Sequence, residues 1–486
     1  MSAKKVQLEH RLGGEQQTLA LPLRALIRNE PIVCREDRSA REAGALMHER
    51  GVGSVVVVDA DSRPVGIFSE RDLVAAVARG ADSQPVAELM TRALLALPAH
   101  AFAYEAALAM IGNRIRHVLV TDDAQLIGVV SERDLFSLQR LGLGELTTEI
   151  RLASEVATLE NIAAEIRKLT RLLVEQGVAA EQLTLYVSVL NDRLCQRVIE
   201  VVRKRYQWEQ ISWCWLAFGS EGRLEQTFST DQDNGIIFAA QDGASPAAVR
   251  SQLLPFARAV NEALDACGFR WCKGNVMASN PALCLSAEEW RAKMGGWLAN
   301  WEPQALLEAS IYFDFRPLYG DATLATSLRH WIQDRTRAFP AFLRQMAENA
   351  LRARPALGTL RDFATEDVPN APHSIDLKGY GARLFVDVAR IYALAQGLPQ
   401  TNTVERLRGA GAGTRMSKVE TEAIVDAFLA IQQLRLRTQA SQDVLTEDTA
   451  NRIDPDKLNE LQRHILKESL RLARKLQQRL ALDYQV

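Results

Sequence analysis

The sequence contains an internal repeat that constrains the fold of the first third of the chain. Residues 58–73 read VDADSRPVGIFSERDL and residues 120–135 read VTDDAQLIGVVSERDL, so the two stretches align without a gap at a shift of 62. The residues before each stretch align at a shift of 63. Two copies of one α/β unit are therefore expected, over residues 22–82 and 85–142, after a short N-terminal tail over residues 1–21.

Both copies predict the same order of elements. An apolar-periodic helix precedes a β-branched strand, an aspartate-rich turn leads to a second strand, and the sequence SERDL opens another helix. The predicted helices cover residues 40–50 and 104–114, the first strands residues 54–58 and 117–120, and the second strands residues 65–68 and 126–130. The repeat therefore predicts a tandem βαββα pair.

Each copy also contains the motif G-h-h-S-x-x-D, where h is an apolar residue. Its serine and aspartate are Ser69 and Asp72 in the first copy, and Ser131 and Asp134 in the second. A serine at a helix N-terminus caps free amides, and the same amides can hold a phosphate. The aspartate either accepts hydrogen bonds from ribose hydroxyls or only favours the positive end of the helix. Nucleotide binding and simple helix capping both fit the motif.

On these motifs the repeat resembles a tandem pair of CBS domains, the adenosine-nucleotide sensor module. The resemblance covers residues 22–142. It implies an AMP- or ATP-type regulatory ligand bound by the serine and aspartate of each motif. It also implies a homodimer, because CBS pairs commonly associate through their helices.

A strand, a glycine–serine turn and a pair of aspartates predict a catalytic site in the middle of the chain. The apolar stretch over residues 213–218 runs into Gly219 and Ser220, and Asp231 and Asp233 precede a second apolar stretch. Glycine lets backbone amides approach a triphosphate, and the serine hydroxyl adds a donor. Carboxylates two residues apart on a strand share a face about 6.6 Å apart, which suits two Mg²⁺ ions about 3.5–4 Å apart. The alternative is an acidic turn before a strand.

The full string GSEGRLEQTFSTDQDN, residues 219–234, resembles the nucleotidyltransferase domain related to the bacterial PII-protein uridylyltransferase, especially its CBS-linked branch. The resemblance implies a mixed sheet with helices over residues 206–340. It implies transfer of a nucleoside monophosphate from UTP or ATP to an acceptor hydroxyl. It also implies that Asp231 and Asp233 hold Mg²⁺, that Gly219 and Ser220 hold the triphosphate, and that Arg223 offsets developing phosphate charge.

A third carboxylate is expected on a later strand. Residues 310–316 read SIYFDFR, whose alternation predicts a strand with Asp314 on the face opposite the apolar residues. By its match to the family's F-D-x-R-P strand, Asp314 is expected to be the third metal ligand and to act as a base; the alternative is a solvated Asp–Arg surface. The resemblance also places Lys273 and Lys378 near the triphosphate, although a solvated turn lysine fits Lys273 equally well.

Helical patterns flank this domain on both sides. Residues 143–205 lack proline and carry apolar residues at helical spacing, which predicts a connector that either packs on its neighbours or acts as a lever. Residues 341–486 resemble the family's helical substrate-binding domain and are expected to form a C-terminal helical bundle. The predicted fold class is therefore α/β plus α.

The composition excludes several classes of protein. Lys and Arg number 58 and Asp and Glu 60, a net charge of −2, which argues against a bulk nucleic-acid binder. No apolar run approaches the roughly 18–20 residues that span a bilayer, and the N-terminus lacks the apolar core of a signal peptide. The six cysteines include no CxxC pair, which predicts a reducing, cytoplasmic location.

Three functions stay open at this point. The first is a CBS-regulated, Mg²⁺-dependent nucleotidyltransferase, whose acceptor is a protein such as a PII-like regulator, a small-molecule alcohol or an RNA end. The second is a non-catalytic adenine-nucleotide sensor that keeps the transferase fold as a scaffold. The third is a toxin-like enzyme acting on RNA, which the near-neutral charge disfavours. The intact carboxylates favour the first, since a retired site would lose costly clustered charges.

Overall fold

The computed structural model divides into two compact units, residues 1–147 and residues 148–486. The residues that the structure describes are 22–27, 31–61, 63–92, 94–113, 115–122, 125–131, 143–175, 177–208, 211–228, 231–239, 245–299, 301–358, 362–411, 413–414, 416–442 and 447–486.

The first unit contains two three-stranded sheets, one for each copy of the repeat. Its strands are β1 Val33–Arg35, β2 Ser54–Val58, β3 Pro64–Ser69, β4 Ala96–Pro98, β5 His117–Asp122 and β6 Gln125–Ser131, and its helices are α1 Ala40–Arg50, α2 Glu70–Ala78, α3 Val86–Leu89 and α4 Ala103–Asn113. In each sheet one parallel strand lies beside an antiparallel pair. The βαββα order is confirmed in the first copy, whereas the helix predicted after β6 lies outside the described residues.

The first segment of each copy packs on the other copy. Ile27, near the start of the first copy, packs on the second copy, where a Cβ atom on Gly128 would lie 2.7 Å from its side chain. Met90, near the start of the second copy, packs on the first copy, where a Cβ atom on Gly66 would lie 2.2 Å from its sulfur. Both glycines therefore serve close packing, and each copy is completed by a segment of the other.

The second unit combines two sheets with many helices. The strands are β7 Trp213–Ala217, β8 Asn234–Phe238, β9 Cys284–Ser286, β10 Arg316–Gly320, β11 Glu366–Val368, β12 Ala371–Asp376 and β13 Arg452–Ile453. One sheet has the order β10-β7-β8-β9, in which β7 is antiparallel to both neighbours and β8 is parallel to β9. The other has the order β11-β12-β13 and is antiparallel. The predicted mixed sheet is confirmed.

Helices surround these sheets. They are α5 Leu143–Leu152 at the boundary of the units, α6 Val156–Glu175, α7 Ala180–Arg203, α8 Gly219–Gly222, α9 Pro246–Ala266, α10 Ala287–Ala299, α11 Pro303–Tyr312, α12 Ala322–Ala338, α13 Pro340–Ala350, α14 Arg383–Gln396, α15 Thr403–Gly411, α16 Lys418–Ala440, α17 Glu447–Ala450 and α18 Glu460–Tyr484, with a π-helical turn over Lys378–Ala382. None of the helices in the described part of the chain is both long and apolar enough to cross a membrane.

One hydrophobic core joins the regions that the sequence predicts as transferase and helical domains. The same cluster of buried side chains includes Leu216 of β7, Trp290 of α10, Phe385 of α14 and Leu470 of α18. The connector helices α6 and α7 pack on each other and on α16. Of the two alternatives for residues 143–205, packing on neighbouring helices is observed within the second unit. The role of these residues as a lever stays a prediction.

The strand predicted over residues 310–316 is wrong. Helix α11 continues through Tyr312, and β10 begins only at Arg316. Tyr312, Phe313 and Phe315 are all buried, so burial does not alternate along the segment. The aromatic run belongs to a helix end that is covered on all sides, rather than to a strand with one wet face.

Replacing Trp290 with alanine should destabilise the second unit. Its ring is buried against Phe218 and Tyr312, and its indole N–H donates to the carbonyl of Ile236 at 2.9 Å. We expect the free energy of unfolding to fall by about 3–5 kcal/mol, as measured by urea denaturation followed by circular dichroism. Trp301→Ala is the matched control because Trp301 is 41% exposed. Equal losses in the two variants would contradict the expectation.

Candidate active site

The glycine–serine segment forms a single turn of helix where β7 ends. Gly219 has a positive φ of 56° and opens α8. A Cβ atom at Gly219 would lie 2.8 Å from Oδ2 of Asp233, so only glycine leaves room for that carboxylate. The N–H of Phe218 also donates to the carbonyl of Asp233 at 2.8 Å. The structure thus brings the predicted triphosphate turn against one of the two predicted metal ligands.

A second glycine fixes the far end of the turn. A Cβ atom at Gly222 would lie 1.8 Å from the carbonyl oxygen of Asp314, so the backbone after α11 packs directly on this position. The carbonyl of Glu221 accepts hydrogen bonds from Nε and Nη2 of Arg316 at 3.1 and 3.0 Å. Arg316 in turn pairs with Asp192 of α7 at 2.6 Å. Contacts from β10 and α7, through Arg316 and Asp192, therefore fix the position of the turn.

The carboxylate of Glu221 is buried under the same turn. Burial raises the pKa of Glu221 to about 8; Asp192 adds to the rise and Arg316 opposes it. At neutral pH the protonated form is therefore the major one. A neutral Glu221 places no full negative charge beneath a turn that is expected to meet phosphates.

Asp231 and Asp233 lie just before β8 rather than on it. The strand begins at Asn234, and Asp231 forms an isolated parallel bridge with Arg270. Solvent exposure nevertheless alternates along the segment, because Gln232 and Asn234 are each 1% exposed while the two aspartates are partly exposed. The prediction that both aspartates sit on the strand is wrong, but the prediction that they share one side of the chain holds for their exposure.

The polar residues between the aspartates form a buried amide network. Asn261 of α9 donates to Oε1 of Gln232 at 2.7 Å and to Oδ1 of Asn234 at 3.0 Å. Gln232 donates to the carbonyls of Asn261 and Phe269, both at 2.9 Å, and Asn234 accepts from the N–H of Ala278 at 2.8 Å. Because every one of these groups is satisfied inside the protein, the network fixes the segment and keeps the aspartates on the outer side.

Asp233 lies in a mixed electrostatic environment. Burial raises the pKa of Asp233 to about 6; Asp231 adds to the rise, whereas a hydrogen bond with the Cys272 thiol and the charge of Lys378 lower it. Lys378 belongs to the π-helical turn after β12, and its N–H donates to the Asp376 carboxylate at 2.9 Å. The structure therefore brings Lys378 into the field of Asp233, although the two are far apart in sequence.

Ser220 and Lys273 border the site. Ser220 is partly buried within α8, and its carbonyl accepts from the N–H of Glu225 at 2.9 Å. Lys273 is exposed in the turn that follows Cys272. Contacts of Ser220 and Lys273 with a phosphate stay predictions.

Asp314 is surrounded by three arginines. Arg390 donates to both of its carboxylate oxygens at 2.9 and 2.6 Å, Arg406 to Oδ1 at 2.6 Å, and Arg223 to Oδ2 at 2.7 Å. Two further carboxylates balance the charge, since Glu225 pairs with Arg223 at 2.9 Å and Asp387 with Arg390 at 2.7 Å. We call these six residues the arginine cluster. It joins the transferase sequence to α14 and α15.

The arginine cluster bears on two predictions, the roles of Asp314 and of Arg223. Burial alone would raise the pKa of Asp314, but the charges of Arg390, Arg406 and Arg223 outweigh it and hold the pKa far below its usual range. Both oxygens of Asp314 are engaged and its side chain is 0% exposed, so this arrangement does not support its predicted roles as third metal ligand and base. The Arg223 guanidinium is bonded to Asp314 and Glu225, and its contact with a reacting phosphate stays a prediction.

Among the described residues, three side chains that could bind a metal ion lie close together at a different place. They are His373, Asp454 and Asp456, whose potential ligand atoms lie within 4.8 Å of one another, and Asp456 is exposed. The three predicted ligands Asp231, Asp233 and Asp314 do not form such a group. The candidate centre therefore rests on Asp231 and Asp233 alone.

Residues of the C-terminal helices hold the segment after the glycine–serine turn, and the sequence analysis missed them. The side chain of Asn402 donates to the carbonyl of Arg223 at 3.0 Å, and the N–H of Thr403 donates to Glu225 at 2.6 Å. No local pattern marks such contacts, because they join positions about 180 residues apart. The only available signal was the unusual density of polar residues in GSEGRLEQ.

In the first unit, Ser69 and Asp72 form a helix cap. Oδ2 of Asp72 accepts from the N–H of Ser69 at 2.9 Å and from its hydroxyl at 2.7 Å, at the start of α2. The capping alternative therefore describes the local structure of the first motif. Ser131 ends β6 at the equivalent position, and Asp134 lies outside the described residues. Nucleotide binding at either motif stays a prediction.

Comparison with protein families defines the class of the chain. The model "Putative nucleotidyltransferase DUF294" matches residues 164–304, and the model "Putative nucleotidyltransferase substrate binding domain" matches residues 340–484. The CBS domain model matches residues 23–79 and 86–140. The chain therefore combines a CBS pair with both DUF294 domains, and it belongs to that family. The first DUF294 match begins within α6, so part of the predicted connector belongs to the transferase region.

Individual relatives match parts of the chain. An uncharacterised protein of Methanopyrus kandleri is 28% identical over 26% of this chain and 67% of its own length. An uncharacterised protein of Thermofilum pendens, encoded in a ribosomal RNA operon, is 36% identical over 20% of this chain, which spans only 32% of that relative. A third, from Acidianus ambivalens, is 30% identical over 19% of this chain and 58% of its own length.

Solved structures match about a quarter of the chain. A CBS-domain-containing protein from Agrobacterium tumefaciens is 32% identical, with a TM-score of 0.24, over 25% of this chain and 96% of that one. A CBS domain protein from Pyrobaculum aerophilum, solved as a complex with AMP, is 30% identical, with a TM-score of 0.24, over 26% of this chain and 99% of that one.

Asp314→Asn should destabilise the second unit strongly. The substitution removes the central anion and leaves three buried guanidinium groups short of charge compensation. We expect the free energy of unfolding to fall by about 3–5 kcal/mol, measured by urea denaturation at neutral pH. Asp233→Asn is the matched control, because the pKa of Asp233 is raised and its charge is not stabilised by folding. A similar loss in both variants would contradict the role given to the cluster.

The effect of Asp314 should also depend on pH. Because folding lowers its pKa, its contribution is complete above the unfolded carboxyl pKa of about 4 and is lost as the pH falls below that value. The difference in unfolding free energy between the native protein and Asp314→Asn should therefore narrow when measured below about pH 4. A difference that stays constant across this range would show that the charge of Asp314 is not responsible.

Proposed function

We propose that the protein is a Mg²⁺-dependent nucleotidyltransferase that transfers a nucleoside monophosphate from UTP or ATP to an acceptor hydroxyl. The acceptor oxygen attacks the α-phosphorus, the bond to the bridging oxygen breaks, and pyrophosphate leaves. The observation that carries the proposal is the 2.8 Å approach between the position of a Cβ on Gly219 and the Asp233 carboxylate. A tight glycine turn beside a carboxylate is an arrangement that supports a metal–triphosphate site.

The side chains at Asp231 and Asp233 suit Mg²⁺. The ion prefers oxygen ligands and commonly takes one or two carboxylates, with phosphate oxygens and water completing its shell. The raised pKa of Asp233 reflects a carboxylate whose charge is incompletely compensated, and a divalent cation would supply that compensation. When bound, the ion would neutralise the triphosphate and polarise the phosphoryl group under attack.

The residues around this pair have distinct roles in the proposal. The backbone of Gly219 and Ser220 would hold the triphosphate, and Lys378 would approach it from the other side, with Lys273 at the exposed edge. Arg223 and Asp314 act as positioning residues, since they hold the turn through the arginine cluster. The expectation that Asp314 completes the metal site is not carried forward.

Removing either metal-site carboxylate should abolish transfer and spare the fold. The full chain would be incubated with Mg²⁺, each α-³²P nucleoside triphosphate in turn and a lysate of the source cells. We expect Asp231→Asn and Asp233→Asn to lower labelling of a discrete product by roughly 10²-fold or more. Asp265→Asn is the matched control, because Asp265 is an exposed carboxylate of α9 in the same unit.

The outcome also separates the proposal from a sensor that keeps the transferase fold. If wild type labels no product, with or without AMP, and does not bind a triphosphate in a Mg²⁺-dependent way, the transferase proposal fails and the sensor is favoured. Label that persists in Asp233→Asn would reject the assigned site while keeping the activity.

We further propose that the CBS pair binds an AMP- or ATP-type ligand that regulates transfer. Ser69 and Asp72 stand at the start of α2, where free amides favour a phosphate. Oδ2 of Asp72 serves the cap, and its other oxygen is available to ribose hydroxyls. Ser131 and Asp134 would play the same part in the second copy.

Asp72→Asn should weaken AMP binding and leave the cap in place, since an asparagine oxygen can accept the same bonds from Ser69. We expect roughly tenfold weaker binding by isothermal titration calorimetry, the cost of one hydrogen bond to a charged group. Glu70→Gln is the control, because it changes a neighbouring exposed acid. AMP affinity that is identical in all three proteins would place the ligand elsewhere.

The partners follow from the family resemblance alone. A protein such as a PII-like regulator is one acceptor class, and a small-molecule alcohol or an RNA end are the others. A homodimer through the CBS helices and a cytoplasmic location complete the proposal.

A further inference from the structure

The C-terminal helical region contains a cavity of about 430 Å³ that the proposed transferase site does not use. Its walls come from the second half of α16, the start of β12, the segment around β13 and the first turn of α18. Leu434, Ile453 and Leu458 provide an apolar floor. A cavity of this size accommodates a small metabolite rather than a polymer.

The cavity has an excess of positive charge. Arg437, Arg452 and Lys457 line it together with a single carboxylate, Asp454. Oδ2 of Asp454 lies 3.7 Å from Nζ of Lys457, and Nη2 of Arg452 lies 2.9 Å from Oε2 of Glu366. Within the part of the chain that the structure describes, the Arg437 guanidinium has no hydrogen-bond or ion-pair partner. The lining therefore offers one uncompensated guanidinium, which suits a phosphate or carboxylate.

The hydroxyl groups of the lining favour a ligand that brings its own donors. Thr438 donates to the carbonyl of Leu434 at 2.9 Å, Ser441 donates to Thr438 at 2.9 Å, and Ser374 donates to Ala371 at 2.6 Å. Each hydroxyl has thereby used its only hydrogen, and its oxygen can act only as an acceptor. The Ser374 oxygen already accepts one bond, from Arg452 at 3.4 Å. Acceptors of this kind match the hydroxyl groups of a sugar or polyol.

Strand β12 connects the cavity to the proposed transferase site. Ser374 lines the cavity, Asp376 pairs in register with Arg452, and the Asp376 carboxylate accepts from the N–H of Lys378. Lys378 is the residue that the family resemblance places near the triphosphate. Lys378 is four positions after Ser374, so the two Cα atoms lie at most about 14 Å apart along an extended chain. The cavity is therefore joined by a few residues of one strand to the lysine that the proposal places at the triphosphate.

We propose that this cavity binds the acceptor, a small phosphorylated molecule that carries several hydroxyl groups. Arg437 and Arg452 bind its phosphate, the hydroxyl oxygens of α16 and β12 accept from its hydroxyls, and the apolar floor contacts its carbon frame. The role as acceptor rests on the proposed transferase function, whereas binding itself does not depend on that function.

Binding would be measured first by titration calorimetry with the full chain, using ribose 5-phosphate as the probe, without Mg²⁺ or nucleotide. We expect saturable binding that weakens roughly tenfold or more in Arg437→Gln. Arg474→Gln, a matched exposed arginine of α18, should bind like wild type. Ser441→Trp should block the cavity without removing a charge. Melting temperatures of all variants would establish that they are folded.

Several results would overturn the site. The site would be rejected if wild type did not bind ribose 5-phosphate, or if Arg437→Gln bound it as tightly as wild type does. It would also be rejected if wild type bound inorganic phosphate as tightly as ribose 5-phosphate, because the hydroxyl contacts would then contribute nothing. Binding of free ribose as tight as that of ribose 5-phosphate would remove the role of the arginines. Retained binding by Ser441→Trp would place the probe outside the cavity.

A second arm tests the acceptor role. In the labelling assay with serially diluted lysate, Arg437→Gln should need more lysate than wild type for half-maximal labelling and should approach the same maximal rate, whereas Asp233→Asn should lose labelling at every dilution and keep ribose 5-phosphate affinity. If wild type labels a product and Arg437→Gln labels it with the same dependence on lysate, the cavity is not the acceptor site. If nothing is labelled but the probe binds as expected, the transferase proposal fails while the anion site stands.

Discussion

The interaction on which the larger unit depends is the pairing of Asp314 with three arginines. A lone carboxylate at such depth would be protonated or excluded, and three lone guanidinium groups would be costlier still. Together with Glu225 and Asp387 the charges balance, so each group is tolerable only because the others are present. The cluster therefore ties the glycine–serine turn and the end of α11 to the helices α14 and α15, and the candidate site lies beside that junction.

Much of the fold follows from local pattern. The repeat predicts α1 and β2 at the residues where the structure has them, because β-branched runs and apolar periodicity are strong local signals. The wrong strand prediction over residues 310–316 also comes from reliance on local pattern. Alternation of apolar and polar residues identifies a strand only if one face is exposed to solvent. Near Phe313 every face is covered, so the pattern could not distinguish a strand from a helix.

The candidate site was predictable in part. The glycine–serine turn and the two aspartates were predicted from their spacing and from the resemblance of residues 219–234 to the family, and the structure brings Gly219 against Asp233. The fate of Asp314 was not predictable, because its partners Arg390 and Arg406 lie 76 and 92 residues away. An aspartate that binds a metal and an aspartate that binds arginines look the same in a single sequence. Only the tertiary contacts decide between them.

The exchange of segments in the first unit has an evolutionary consequence. Because Ile27 completes the second copy and Met90 the first, neither copy is a self-sufficient module. An insertion or deletion between the two halves would therefore disturb the packing of both. A ligand that moves one half would likewise act on a segment that belongs to the other, so the pair responds as one domain.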